Sequence, residues 1–322
     1  IGAQNRFVTP DDPILGMWGG TKYLLLALEA GDAAHLAWAL AFQGYTVSML
    51  SPSSEKRIAR LFSVAAEHAK VTDQPEIYGV VKMNEGIGFA FGRAVTAEAA
   101  RKIMLEGLEL LQGRRGVRFQ LDALNLHLTR TPSADLPREA RRSALLIEEA
   151  FSLGRPWIAG HMAAMSVPVR LLVGDLSGIL RHLDQAARAW ERQPVMQWMD
   201  ATMLEANSNL SYYEGEPAKA LEHVQEMWPR YERSSVRRSS YGVRLMHASR
   251  GVAALWVARS PGVSSARKQQ LIATARADSR ELDKGKTHPP ANLALALRTG
   301  LALMDGDRGA AIATLEAYVQ GD

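Results

Sequence analysis

Apolar residues in this chain recur at three- and four-residue spacing, in stretches separated by Gly, Pro or Ser-Pro breaks. After Gly215 the stripe is Leu221, Val224, Trp228 and Tyr231. After Gly174 it is Leu176, Leu180, Leu183, Ala187 and Trp190. Residues so spaced share one face of an α-helix, and that face is expected to be buried. Period-two alternation is scarcely visible anywhere, so no sheet is expected.

The pattern predicts about fifteen helices. Pro13–Ala30 stands first, followed by pairs over Asp32–Leu50 with Ser53–Lys70, Gln74–Phe91 with Thr96–Leu111, and Val117–Thr131 with Leu136–Leu153. The second half reads as Pro156–Val173 with Leu176–Trp190, Pro194–Tyr213 with Pro217–Tyr231, Arg238–Ala258 with Ser264–Leu282, and Pro290–Met304 with Arg308–Val319. Proline opens four of these segments, at Pro156, Pro194, Pro217 and Pro290, where its missing N–H costs nothing. Pro168 is expected to kink its helix and Pro229 to bend or end its helix at Trp228. Trp190, Trp228 and Trp256 are expected in the core.

Three breaks share one phrase. Gly174-Asp175 leads to Ile179, Leu180 and Leu183; Gly215-Glu216 leads to Ala220, Leu221 and Val224; Gly306-Asp307 leads to Ala311, Ile312 and Leu315. A glycine can end one helix in the left-handed conformation, and the acidic residue suits the first turn of the next. The first two phrases lie 41 residues apart and the last two 91, close to one and two periods of about 45. A helical pair recurring at that period predicts an all-α fold, an α-solenoid of about seven helical hairpins over residues 13–322, preceded by a linker over 1–12.

Composition changes this picture little. Of 322 residues 47% are hydrophobic and 22% charged, an ordinary balance with ample material for a core. The net charge of +4 is weak evidence for nucleic acid or a membrane surface. With no cysteine in the chain, disulfides, thiol catalysis and cysteine-ligated zinc are excluded. No run reaches the ~18–20 apolar residues of a membrane span. The chain opens on Ile1 without a signal core, so it reads as a cytoplasmic piece of something longer.

The motifs that carry chemistry elsewhere fail here on context. Gly86, Gly88 and Gly92 lie inside a helical pattern with no strand before them, so they read as close helix packing. Gly19-Gly20-Thr21-Lys22 lacks the spacing of a phosphate loop, and Ser53-Ser54-Glu55-Lys56 falls at a helix start, where serine is a cap. The eight histidines form no i, i+4 pair around a glutamate. No catalytic, cofactor-binding or metal-binding residue is assigned, and no cofactor is expected.

Two surface sets remain. Arg230, Arg233, Arg237, Arg238, Arg244 and Arg250 crowd one stretch with Glu232 alone opposing them locally. Their guanidinium forks suit carboxylate or phosphate contacts. They equally suit a solvated helix junction paired with acids of the next repeat. Asn207, Ser208, Asn209, Ser211 and Tyr212 form a polar set in an otherwise apolar first helix of a hairpin. Such a set can contact a peptide backbone or hydrogen-bond between helices. The candidate partner-binding residues are therefore Asn207, Asn209, Ser211, Tyr212, Arg230, Arg233, Arg237 and Arg238. The partner they favour is a protein or peptide segment, not nucleic acid or a membrane.

Several phrases resemble the tetratricopeptide-like C-terminal region of large bacterial signalling proteins that carry a Ser/Thr kinase domain and a STAND-type ATPase module. They are Asp12-Pro13 before Tyr23–Leu28 and Glu29-Ala30-Gly31-Asp32, Tyr213-Glu214-Gly215-Glu216, Trp228-Pro229 with Glu232-Arg233-Ser234, Leu301 to Asp307 with Ala310-Ala311, and Pro168 within its helix. The resemblance implies a right-handed superhelical arm that binds a protein or peptide in its groove and works with kinase and ATPase parts of the same polypeptide. No kinase or phosphate-loop motif stands in this chain, so no catalytic residue carries over. The alternatives are the sensor arm of a STAND-type transcription regulator and a stand-alone adaptor.

Overall fold

A computed structural model describes residues 13–50, 55–92, 97–111, 135–190, 196–238, 240–284 and 288–320. Among the described residues all regular structure is helical. The helices are α1 (Pro13–Ala30), α2 (Ala33–Leu50), α3 (Glu55–Val71), α4 (Pro75–Gly92), α5 (Ala97–Leu110), α6 (Leu136–Ser152), α7 (Pro156–Leu172) and α8 (Leu176–Ala189). Then follow α9 (Trp198–Tyr213), α10 (Pro217–Glu232), a 3-10 turn (Ser235–Arg238), α11 (Ser240–Arg259), α12 (Ser265–Asp283), α13 (His288–Met304) and α14 (Arg308–Gln320). The segment predicted as a helix over Val117–Thr131 and the Ser53 cap lie outside the described residues.

The chain divides into two compact units, Ile1–Gln193 with Gln197–Met203, and Pro194–Met196 with Leu204–Asp322. In the first unit α2 packs on α1, α3 and α4, α4 packs on α5, and α7 packs on α6 and α8. Phe62, Ile58, Ala65 and Val81 centre one core cluster; Val80, Met83, Ile87 and Met104 centre another. The glycines of α4 serve close packing. A Cβ on Gly86 would lie 2.8 Å from the Ala100 carbonyl of α5, and one on Gly88 would lie 2.7 Å from the Phe62 ring of α3. In the second unit α11 packs on α10, α12 and α13, and α13 packs on α14, around Leu221, Leu255, Leu271, Leu282, Leu297 and Leu301. Each such side chain, once buried, contributes about 1.5–3 kcal/mol.

At Gly174, Gly215 and Gly306 the Gly-acid phrase closes its helix in the same way. Gly174 (φ +76°), Gly215 (+76°) and Gly306 (+79°) are left-handed. The Gly174 N–H donates to Leu171 O at 3.0 Å and the Asp175 N–H to Arg170 O at 3.0 Å. Gly215 and Glu216 donate likewise to Tyr212 O and Ser211 O, and Gly306 and Asp307 to Leu303 O and Ala302 O. These paired bonds close a helix C-terminus in a Schellman motif. The acidic residue sits one step earlier than expected, at the N-cap: Asp175 Oδ1 accepts the Gly178 N–H at 3.2 Å and Asp307 Oδ1 the Ala310 N–H at 2.9 Å. Glu216 makes no such side-chain bond. Gly31 (φ +65°) and Asp32, which caps the His35 N–H at 2.8 Å, add a fourth glycine-acid turn.

Five expectations are corrected. On α8 the buried stripe is Ile179, His182, Leu183 and Ala186, while Leu180 is 47% exposed. The stripe turns by about one residue because the polar His182 takes a core position. Trp256 is 53% exposed, not core, and Trp190 and Trp228 are half-buried. Ile312 and Leu315 on α14 are exposed beside the buried Ala311. The helix predicted from Pro194 begins at Trp198, after Asp200 Oδ2 accepts the Gln197 N–H at 2.9 Å. Of the two outcomes expected at Pro229, a bend or an end at Trp228, the end does not occur, since α10 runs on to Glu232. Its own carbonyl, left over near the helix end, is taken by Arg233 Nε at 3.1 Å. Pro168 does stand inside α7, as expected.

Candidate functional site

The polar set on α9 divides by the direction each side chain takes. Ser208 and Ser211 are buried. The Ser211 hydroxyl donates to its own helix at Asn207 O, 2.9 Å away. The Ser208 hydroxyl is buried without a hydrogen-bond partner. Asn207, Asn209 and Tyr212 remain half-buried at the surface. The Tyr212 hydroxyl donates across to Ser249 O of α11 at 3.4 Å, and burial pushes this phenol's pKa well above its ordinary value. Its ring stacks on Trp256 with centroids 6.0 Å apart and planes 20° from parallel. Trp256 is 53% exposed, and Tyr213 is 55% exposed. Trp256 is thus the member of this ledge that sequence reasoning put in the core. The run Gly251–Ala258 around it is apolar throughout, and Arg259 and Ser260 beyond it are a local sign of an edge.

Two members of the arginine set serve the end of α10. Arg233 Nε donates to Pro229 O at 3.1 Å, and Arg237 Nη1 to Glu232 O at 3.0 Å, so both neutralise the carbonyl end of α10. Arg230 Nη1 lies 3.2 Å from Met227 Sδ. Arg238 closes the 3-10 turn, and its side chain lies outside the described residues.

Arg250 pairs with an acid on the next helix. Its Nη2 and Nε reach Asp278 Oδ1 and Oδ2 of α12 at 2.6 and 3.0 Å. The guanidinium carbon stands 3.3 Å from the Trp228 ring centroid, a cation–π contact at van der Waals distance. His247 Nδ1 donates to Asp278 Oδ1 at 2.7 Å and sets its ring edge-on to Trp228 at 5.1 Å. Asp278 is fully buried. Both its oxygens accept from Arg250 or His247, so this carboxylate ties α12 to α11. Beside it, burial pushes the Tyr231 phenol up to about 12.

A second charge cluster lies in the other unit. Arg170, in the last turn of α7, is 1% exposed and bonds Asp175 through Nε at 2.9 Å and Nη2 at 2.8 Å. Its Nη1 donates to His182 Nδ1 at 2.9 Å, which leaves the neutral imidazole proton on Nε2, 3.7 Å from Glu148 Oε1. Arg181 completes the group, 3.0 Å from the same Glu148 oxygen. Burial first, then the Arg170 and Arg181 charges, hold the His182 pKa below its ordinary value.

Among the described residues no group of three His, Asp or Glu side chains could hold a metal ion, and no helix is long and apolar enough to cross a membrane. The chain matches no protein-family model, no curated protein and no solved structure.

Proposed function

We propose that this chain is a non-catalytic interaction arm, a tetratricopeptide-like α-solenoid of about seven hairpins that binds a protein or peptide segment. The observation that carries this reading is the recurring turn. Gly31, Gly174, Gly215 and Gly306 all take positive φ before an acidic residue. A chain that repeats one turn between packed helices is built as a stack of like units, and stacks of helical pairs present extended surface. The half-exposed Trp256, stacked on Tyr212 with Asn209 one turn away, is the anchor for a partner, since rigid, half-buried aromatics dominate binding energy at interfaces.

By its resemblance the arm belongs to a bacterial Ser/Thr kinase–ATPase signalling protein, where partner binding biases the catalytic parts. Two measurements test the two levels of this reading. A displayed peptide library selected on the chain should yield ligands that lose binding to Trp256→Ala and keep it with Arg276→Ala, a surface change on α12. Ligands indifferent to Trp256 would remove the ledge from the proposal. An antibody to this chain should detect a polypeptide far heavier than 35.3 kDa in its source cells. A band at that mass would replace the kinase–ATPase parent with a stand-alone adaptor.

A further inference from the structure

One helix in the first unit is apolar on both faces. α1 turns Ala27 and, partly, Tyr23 and Leu24 toward α2. Its outer surface nevertheless carries Trp18 (60% exposed), Leu25 (56%) and Leu28 (57%), with Met17 and Leu26 at 40% each. A helix hydrophobic all round is normally a covered helix.

The charges on this outer surface say what kind of cover fits. Trp18, Lys22, Leu25 and Glu29 follow one another at spacings of four, three and four, so they form a single stripe. Lys22 Nζ rests 5.0 Å from the Trp18 ring centroid. Neither Lys22 nor Glu29 has an ion-pair partner among the described residues. Their midpoint along the helix falls between Leu25 and Leu26.

Consider a second α1 laid antiparallel on the first, about a two-fold axis through that midpoint. Each Lys22 then stands level with Glu29 of the other copy, about 10 Å along the helix axis from its own. Leu25 stands against Leu26 of the other copy, in the middle of the contact. A parallel pair would instead set Lys22 against Lys22 and Glu29 against Glu29. The stripe is therefore self-complementary in one orientation and self-repelling in the other, as an isologous dimer interface requires.

We infer that the outer face of α1 is the contact between two copies of this chain, paired antiparallel with reciprocal Lys22–Glu29 ion pairs. This goes beyond the interaction-arm reading and does not depend on it. One helix face makes a small interface, so the dimer should be concentration-dependent.

Sedimentation equilibrium of the full chain across a dilution series tests it. The expected mass rises from 35.3 kDa toward twice that value with concentration. Lys22→Glu and Glu29→Lys should each hold the chain at the monomer mass, and the double reversal Lys22→Glu/Glu29→Lys should restore the dimer. Both positions are exposed, so far-UV circular dichroism should be unchanged in all three. Leu25→Glu should likewise give a monomer. A wild-type chain that stays monomeric throughout overturns the inference. So does a dimer indifferent to the single reversals, and so does a double reversal that fails to recover it.

Discussion

In the first unit the group enclosed at the centre of the charge cluster is a cation, and in the second it is an anion. Arg170 is 1% exposed while its partner Asp175 is 36% exposed, still half in water. Asp278 is 0% exposed while its partner Arg250 is 23% exposed. The counterion of Arg170 comes from five residues away, delivered by the Schellman turn and the N-cap that join α7 to α8. The counterion of Asp278, Arg250, comes from 28 residues away on another helix, and His247, 31 residues away, adds a hydrogen bond. One cluster therefore reinforces a turn that the backbone already makes. The other staples α12 to α11, with Trp228 of α10 as a third support. What a substitution costs should follow from the charge it leaves behind, not from how deeply the removed side chain was buried.

The largest effect is expected at Arg250. Arg250→Met leaves Asp278 enclosed with His247 as its remaining partner, and removing one member of a buried pair costs about 3–5 kcal/mol. The urea midpoint should fall accordingly. Replacing both members, Arg250→Met with Asp278→Leu, should recover most of that loss, because no uncompensated charge stays inside. A double variant as unstable as the single one would mean that packing, and not charge, sets the cost.

Arg170→Met should cost less, about 2 kcal/mol, although Arg170 is the more buried arginine. Asp175 keeps its bond from the Gly178 N–H and turns its free oxygen to water; the loss comes mainly from His182 Nδ1, which gives up its donor. If the two single variants are ranked the other way in the same denaturant series, the contrast drawn between the clusters fails. Smaller again is Trp228→Leu, expected to cost about 1 kcal/mol through the lost cation–π contact with Arg250. It also removes the Nε1–H bond to Glu232.

How much of this was legible in the sequence depended on how local the cause was. The helices and their turns could be read because glycine tolerates positive φ, proline suits a first helical turn, and each signal acts within a few residues: α7 and α10 begin at the very prolines expected, Pro156 and Pro217. The arginine set could be read only in its composition. That Arg233 and Arg237 serve α10's carbonyls is local and could have been foreseen. That Arg250 crosses to an acid depends on which helix packs beside it. His182 and Asp278 look like surface residues, since nothing nearby in the chain announces Arg170 or His247 as a partner. Leu180 and Trp256 mislead for the complementary reason: an apolar residue one step off the buried stripe reads the same as one on it.

The smallest effect is a pH dependence, and it belongs to one cluster only. His182 sits 1% exposed with Arg170 donating into its ring and Arg181 close by, so its folded pKa is lowered from the ordinary value of about 6.5. An unfolded chain then binds a proton at His182 more readily than the folded one. Stability is full above about pH 6.5 and declines as pH falls from there toward the lowered folded value. The melting temperature should drop between about pH 7 and pH 5, and the drop should be shallower in His182→Asn, whose side-chain oxygen can accept from Arg170 without titrating in that range. Equal slopes in wild type and His182→Asn would mean that His182 takes up its proton as readily folded as unfolded, and the first cluster would no longer be a cation held against a neutral ring.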